Sequence, residues 1–352
     1  MAALHSIPNM KSPAARLLVG SLLALAALAY FVHGIDPAAL GAALASADRG
    51  LMLAVVAVVV ASYVARSWLW GSLLQPLVVV RQFDLFASTV IGFAASLVVP
   101  RSGELLRPWL VARRCRVPAS GVFATVVVER LVDLATVLLL FALYLFVLPH
   151  PAAQVDSAWI GILRGGGLLA TLLLCALLLV LWLWHAEAVH PDAGRLSWLR
   201  RLANRGPAWL RHRIAGLLRG FAGGLAVLRA PWPHWLLISA QSLLLWLLTA
   251  YTYDLTNRAF GIDLPLHCSL LILAFVIVGE SIPTPGMVGG FHAFYLLVLT
   301  EVYGVDHDTA AAAAIAAHAL GNLPVLLLGL LLAPRERISL RRAATVGTDV
   351  PG

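Results

Sequence analysis

Apolar runs of about 20 residues recur along this chain, and no other feature limits its fold so tightly. Runs such as Leu51–Trp70 and Val122–Leu148 are dominated by aliphatic and aromatic side chains. About 20 such residues in a helix cross the hydrocarbon core of a bilayer, where every backbone polar group must be satisfied within the segment. Of the 352 residues, 61% are hydrophobic and 12% charged, and the mean hydropathy is +0.89. Soluble domains carry about a quarter charged residues. The chain therefore reads as one all-α polytopic membrane domain over residues 1–352.

The net charge of +8 would suggest nucleic acid in a soluble protein. Here the basic residues are nearly all Arg and fall between the apolar runs, where the positive-inside rule places them, so no nucleic-acid partner is expected. Cys115, Cys175 and Cys268 form no CxxC pair and imply neither a disulfide framework nor a zinc site. Lys11 and Arg16 before Leu17–Val32 imitate a signal peptide. That run is longer than a usual signal core and more spans follow, which favours an uncleaved first span.

The full-span candidates are Leu17–Val32, Leu51–Trp70, Val122–Leu148, Ile162–Trp184, Trp235–Thr256 and Thr309–Ala333. The flanking charges orient them. Arg101–Arg116 carries five Arg against Glu104, Arg195–Arg229 carries eight Arg and no acid, and the tail holds four Arg against Glu336. The segments around Asp36 and Asp48, Asp156, and Asp306 and Asp308 are acidic or neutral. Both termini and the Arg-rich segments are then cytoplasmic.

On this assignment Phe83–Pro100 begins and ends on the cytoplasmic side, and Leu266–Pro283 begins and ends outside. Each reads as the first arm of a re-entrant hairpin. The first turns at Pro100 and Gly103 and returns over Leu105–Ala112. The second turns through Pro283, Pro285, Gly286, Gly289 and Gly290 and returns over Phe291–Tyr303. Irregular backbone at membrane depth is tolerated where protein buries it or it lines a wet cavity. Span, hairpin and span thus run over residues 51–148 and again, from the opposite side, over 235–333. That is an inverted repeat with broken helices, about six full spans in all. The alternative is eight ordinary spans without symmetry. Between the halves, residues 190–232 read as a basic amphipathic cytoplasmic linker, with Leu210, Ile214, Leu217, Phe221, Leu225 and Leu228 at helical spacing, or as a plain basic loop.

Charges at mid-bilayer are costly and usually face a cavity or a partner. Glu129, Arg130 and Asp133 lie about ten residues into a span and are spaced for pairing along a helix. The first hairpin adds Arg101, Glu104 and Arg107, and a cross-pair from it to Glu129 or Arg130 would neutralise the group. The second half offers Glu280 before its break, His292 after it, and His318 with Asn322 four residues on. Arg130 with Asp133 also reads as a packing pair, and His318 as a backbone hydrogen-bonder. Asp306-His307-Asp308 resembles a metal motif but reads as a solvated loop. Phosphate-binding loops, HExxH and GxSxG are absent, and no metal, cofactor or enzymatic activity is expected.

Pro100-Arg101-Ser102-Gly103-Glu104-Leu105-Leu106-Arg107, followed by Val128-Glu129-Arg130-Leu131-Val132-Asp133, resembles the paired signature of the lysylphosphatidylglycerol synthase transmembrane-region family, the flippase-like domain proteins. Pro283 to Phe291 resembles that family's Pro-x-Pro-Gly-Gly-x-Gly element. The resemblance runs from about Leu17 to Ala333. It implies a bacterial inner-membrane protein that moves a lipid or lipid-linked substrate between leaflets. The transferase domain of the bifunctional members is not in this sequence, so lipid synthesis is not implied. Many members have Glu where His292 stands and Arg where His318 stands, and Met287 replaces a usual Gly.

Three functions follow as expectations. In the first, Arg101, Arg107 and Arg130 hold an anionic lipid headgroup, with Glu104, Glu129 and Asp133 orienting them. In the second, Glu129, His292 and His318 titrate in a proton-coupled transporter of a small solute. In the third, the protein is a membrane scaffold for envelope-biosynthesis enzymes. The oligomeric state is open.

Overall fold

The computed structural model describes residues 36–149, 220–221, 223–282, 286 and 288–336, with isolated residues between 161 and 179. The expected spans Leu17–Val32 and most of Ile162–Trp184 lie outside the described residues, as do most of the basic linker and the residues Pro283, Pro285 and Met287. Among the described residues there are helices and no strands.

The helices are α1 (Pro37–Ser46), α2 (Arg49–Leu74), α3 (Gln82–Val98), α4 (Ser102–Cys115), α5 (Ala119–Phe146), α6 (Trp232–Ala259), α7 (Cys268–Glu280), α8 (Gly290–Leu297) and α9 (His307–Leu332). A wider turn, Val298–Val302, continues α8. Each expected span within the described residues is a helix whose ends lie a few residues from the apolar run. Helix α1, in the loop after the first run, was not expected; Asp36 caps it by accepting from the Ala38 N–H.

Helices α2 and α6 and the stretch His307–Glu336 are long and apolar enough to cross a membrane. Helix α5, with 28 residues, is as long but carries Glu129, Arg130 and Asp133. The arms α3, α4 and α7 have 17, 14 and 13 residues. At 1.5 Å per residue these reach about 20–25 Å, short of a core about 30 Å thick.

Contacts between the helix ends show where each hairpin enters. The first end of the bundle gathers Asp36, Asp48, Ala259 and Asp308: Asp48 donates its N–H to the Ala259 carbonyl and Asp36 donates to Asp308 Oδ1. The opposite end gathers Asp84, Arg114 and Glu336, with Arg114 bridging both carboxylates at 2.5 and 3.3 Å. Asp84 starts α3 and Arg114 ends α4, so the first hairpin enters and leaves at the Arg114 end. In the second hairpin, Tyr303 donates to the carbonyl of Cys268, the first residue of α7. Tyr303 also meets Tyr144 near the close of α5, which places that hairpin at the Asp48 end. The expected re-entrant arrangement is thus present as two hairpins entering the helix bundle from opposite ends.

The arms of both hairpins touch backbone to backbone. A Cβ on Gly103 would collide with the Gly92 carbonyl, and one on Gly290 with the Gly279 carbonyl. The two glycines stand eleven positions apart in each hairpin. One constant shift, the one that takes Gly92 to Gly279, also carries α2 onto α6, α4 onto α8 and α5 onto α9 within a few residues. The returning arms start alike too, from Arg101 at φ 63° and Gly289 at φ 95°.

Candidate functional site

At mid-height the two hairpin tips meet. Arg101 Nη2 donates to the Ser281 carbonyl at 3.1 Å, tying the first tip to the second. The ring N–H of His318, halfway along α9, donates to the Gly286 carbonyl at 2.8 Å and holds the second tip. Asn322 donates back to the His318 carbonyl one turn earlier at 2.9 Å.

Beside the tips lies a buried ion cluster drawn from α2, α4 and α5. Glu129 is fully buried. Its Oε2 accepts from Arg107 Nη2 at 2.7 Å, and its Oε1 accepts from Arg66, Arg107 and Arg130 at 3.1–3.2 Å. Arg66 Nη1 reaches Asp133 as well, at 3.0 Å, and Arg130 lies 3.4 Å from it. Trp246 of α6 donates its indole N–H to the other Asp133 oxygen at 3.0 Å. Arg107 lies over the Trp70 ring, and Arg66 over Phe93 and Trp246, so the guanidinium faces are also covered. Three guanidinium groups meet two carboxylates, and the cluster keeps a residual positive charge.

The expected cross-pair between the first hairpin and Glu129 is therefore present, but it does not include every residue proposed for it. Arg107 turns to Glu129 rather than pairing locally with Glu104, because the buried carboxylate is the partner water cannot replace. Glu104 is exposed on α4, outside the cluster. Arg101 serves the tip contact instead. Arg66 was missed, because its residue lies in the run Leu51–Trp70 that reads as an ordinary span. The available signal was a lone charge deep in an apolar helix.

A cavity of about 150 Å³ opens next to the cluster, among α2, α3, α6, α7, α8 and α9. Arg66 lines one part of its wall and Glu280 another. Ser62, Thr249, Thr252 and Asn322 supply neutral polar groups, and Phe93, Trp246, Tyr253 and Phe291 supply rings. Arg107, Glu129 and Arg130 stand behind this wall and do not line it. His292 and His318 pack with ring centroids 4.6 Å apart, and His318 lies 5.2 Å from the Phe291 ring.

Among the described residues no group of three or more His, Cys, Asp or Glu side chains is arranged to hold a metal ion. Asp306, Asp308 and His307 are placed by the start of α9. Asp306 accepts from the Thr309 N–H and hydroxyl, and the backbone N–H holds its carboxyl below the usual range.

Comparison with known proteins agrees with this architecture. The chain is 23% identical over 356 aligned positions to Glycosyltransferase AglD of Haloferax volcanii. That alignment covers 95% of this chain and 56% of the other, so the chain spans a little over half the length of this curated relative. The model of the family described as lysylphosphatidylglycerol synthase TM region matches residues 17–329. With its helices, paired hairpins and matched length taken together, the chain belongs to the lysylphosphatidylglycerol synthase TM region family.

Proposed function

We propose that this protein is a flippase-like carrier of the bacterial inner membrane, with both termini cytoplasmic and no catalytic chemistry of its own. Its substrate is a lipid or lipid-linked molecule whose headgroup crosses between leaflets while the acyl chains stay in the bilayer. The observation that carries this reading is the mid-height cavity where two oppositely entering hairpins meet. A site between such hairpins is reached from either face by moving one repeat against the other, the arrangement used by transporters with inverted repeats. The caps support the inversion: α2 and α9 start from Asp48 and Asp306, whereas their counterparts α6 and α5 start from Pro231 and Pro118. The Pro starts lie beside the Arg-rich segments, as expected of a cytoplasmic face.

The test is lipid movement in proteoliposomes carrying acyl-labelled fluorescent phospholipids, read by quenching of the outer leaflet. Gly321 lines the cavity, and a side chain there meets no atom within 4 Å. Gly321→Leu is expected to fill the cavity and stop movement while leaving the unfolding temperature unchanged. Undiminished movement in that variant would overturn the cavity's role.

The close, tilted pair of His292 and His318 favours a second reading, proton-coupled transport of a small solute. It predicts uptake whose pH dependence disappears in His318→Gln, without lipid movement.

A further inference from the structure

The charges lining the cavity define what it binds. Arg66 is its cationic group, and it belongs to a cluster that keeps one positive charge in excess of its carboxylates. Arg66 commits Nη1 to Glu129 and Asp133. A guanidinium has five N–H donors, so donors remain for a ligand anion.

Glu280 is in the opposite condition. It is accessible from the cavity, and among the described residues no ion pair or side-chain hydrogen bond engages its carboxylate. It is also the last residue of α7. A helix C-terminus carries partial negative charge, so a carboxylate there is disfavoured by its own helix and calls for a cation. Arg66 acts on it only from a distance, and no ion pair joins the two. Phe93 and Trp246 already face Arg66, and the rings of Tyr253 and Phe291 share the lining and offer π surface suited to an organic ammonium.

We infer that this cavity takes a zwitterionic ligand, its phosphate or carboxylate on Arg66 and its ammonium on Glu280 among the aromatic rings. The inference rests on the cavity being the substrate site and names the headgroup class that site selects. An anion alone leaves Glu280 uncompensated, and a cation alone leaves the Arg66 excess. A ligand bearing both charges satisfies each wall without a net charge entering the membrane interior. The volume of about 150 Å³ suits a small headgroup.

Thermal unfolding of the full chain in detergent, titrated with soluble probes, tests this separately from transport. The probes are glycerophosphoethanolamine and alanine as zwitterions, and glycerol 3-phosphate and ethanolamine as single-charge halves. Glycerophosphoethanolamine is expected to bind about tenfold or more tighter than either half, and Glu280→Gln to reduce it to the affinity of glycerol 3-phosphate. Alanine binding tighter than glycerophosphoethanolamine keeps the zwitterion but assigns it to a soluble amino acid rather than a lipid. Equal binding of glycerol 3-phosphate and glycerophosphoethanolamine, no binding by any probe, or an unchanged profile in Glu280→Gln overturns the inference. The ligand-free unfolding temperature of Glu280→Gln reports whether the variant folds. Lipid movement blocked by Gly321→Leu would survive each of these negative results, so the carrier reading and the zwitterion stand or fall apart.

Discussion

The two halves share a backbone plan and differ in what holds it. In the first half, hairpin α3–α4 is fastened by ions: Arg107 on the returning arm reaches Glu129 on α5, which also binds Arg66 from α2. In the second half the matching places are aromatic. Tyr253 occupies the counterpart of Arg66, and it packs edge-on against Phe291 and Tyr295 of the returning arm. Tyr295 donates to Asn257 at 2.8 Å, and α9 places Ala316 and Leu320 where α5 carries Glu129 and Asp133. A buried ion pair is directional, and breaking it strands a charge. Ring contacts have preferred geometries too, but parting them strands no charge. The first hairpin is therefore fastened by buried ion pairs, whereas ring packing holds the second.

The largest expected effect probes that ionic fastening. Glu129→Gln removes the carboxylate shared by three arginines and should cost about 3–5 kcal/mol, read as lost unfolding free energy in detergent. The second-half counterpart Ala316→Gly lacks any ion to strand, and should cost about 1 kcal/mol through helix propensity alone. Similar losses in the two variants would erase the distinction between the halves.

Next come the hairpin crossings, where the halves should behave alike. Gly103→Ala and Gly290→Ala each force a Cβ against a facing carbonyl, so each should cost about 1–3 kcal/mol, measured by the same unfolding. Unequal costs would show that only one crossing is tight.

The smallest effect concerns the caps. Asp306→Ala should cost about 1 kcal/mol, because the Thr309 N–H loses its acceptor. Hydrogen bonding lowers the folded-state pKa of Asp306, so its contribution is present above the unfolded pKa and fades as pH falls through the folded one. The gap between wild type and Asp306→Ala should therefore close in acid. Pro118, which starts α5 without a side-chain cap, should show no such pH dependence on replacement by Ala.

Much of this was legible in the residues. Pro100 and Gly103 marked the first turn because a helix cannot pass Pro with its ladder intact and only Gly admits the Gly92 carbonyl. Arg107, Glu129, Arg130 and Asp133 stood out because charge is rare in apolar runs, and the structure brings all four together. Arg66 was legible only as a lone charge in an apolar run, and Trp246 and Tyr253 were not legible as site residues. Each sits singly in an apolar helix, and a residue with one ordinary neighbour on each side carries no mark of what another helix brings to it.

By itself the sequence determined that this is a helical membrane protein with two broken segments and charged residues beside one of them. Hydrophobic length, proline and glycine are local properties of a chain, and the bilayer reads them locally. The flanking charges already pointed to hairpins from opposite sides, and only the tertiary structure chose that arrangement over ordinary spans and put Arg66 and Glu280 on one cavity. Those facts depend on side chains more than two hundred residues apart, Arg66 on α2 and Glu280 on α7, and such distances close only when the helices pack.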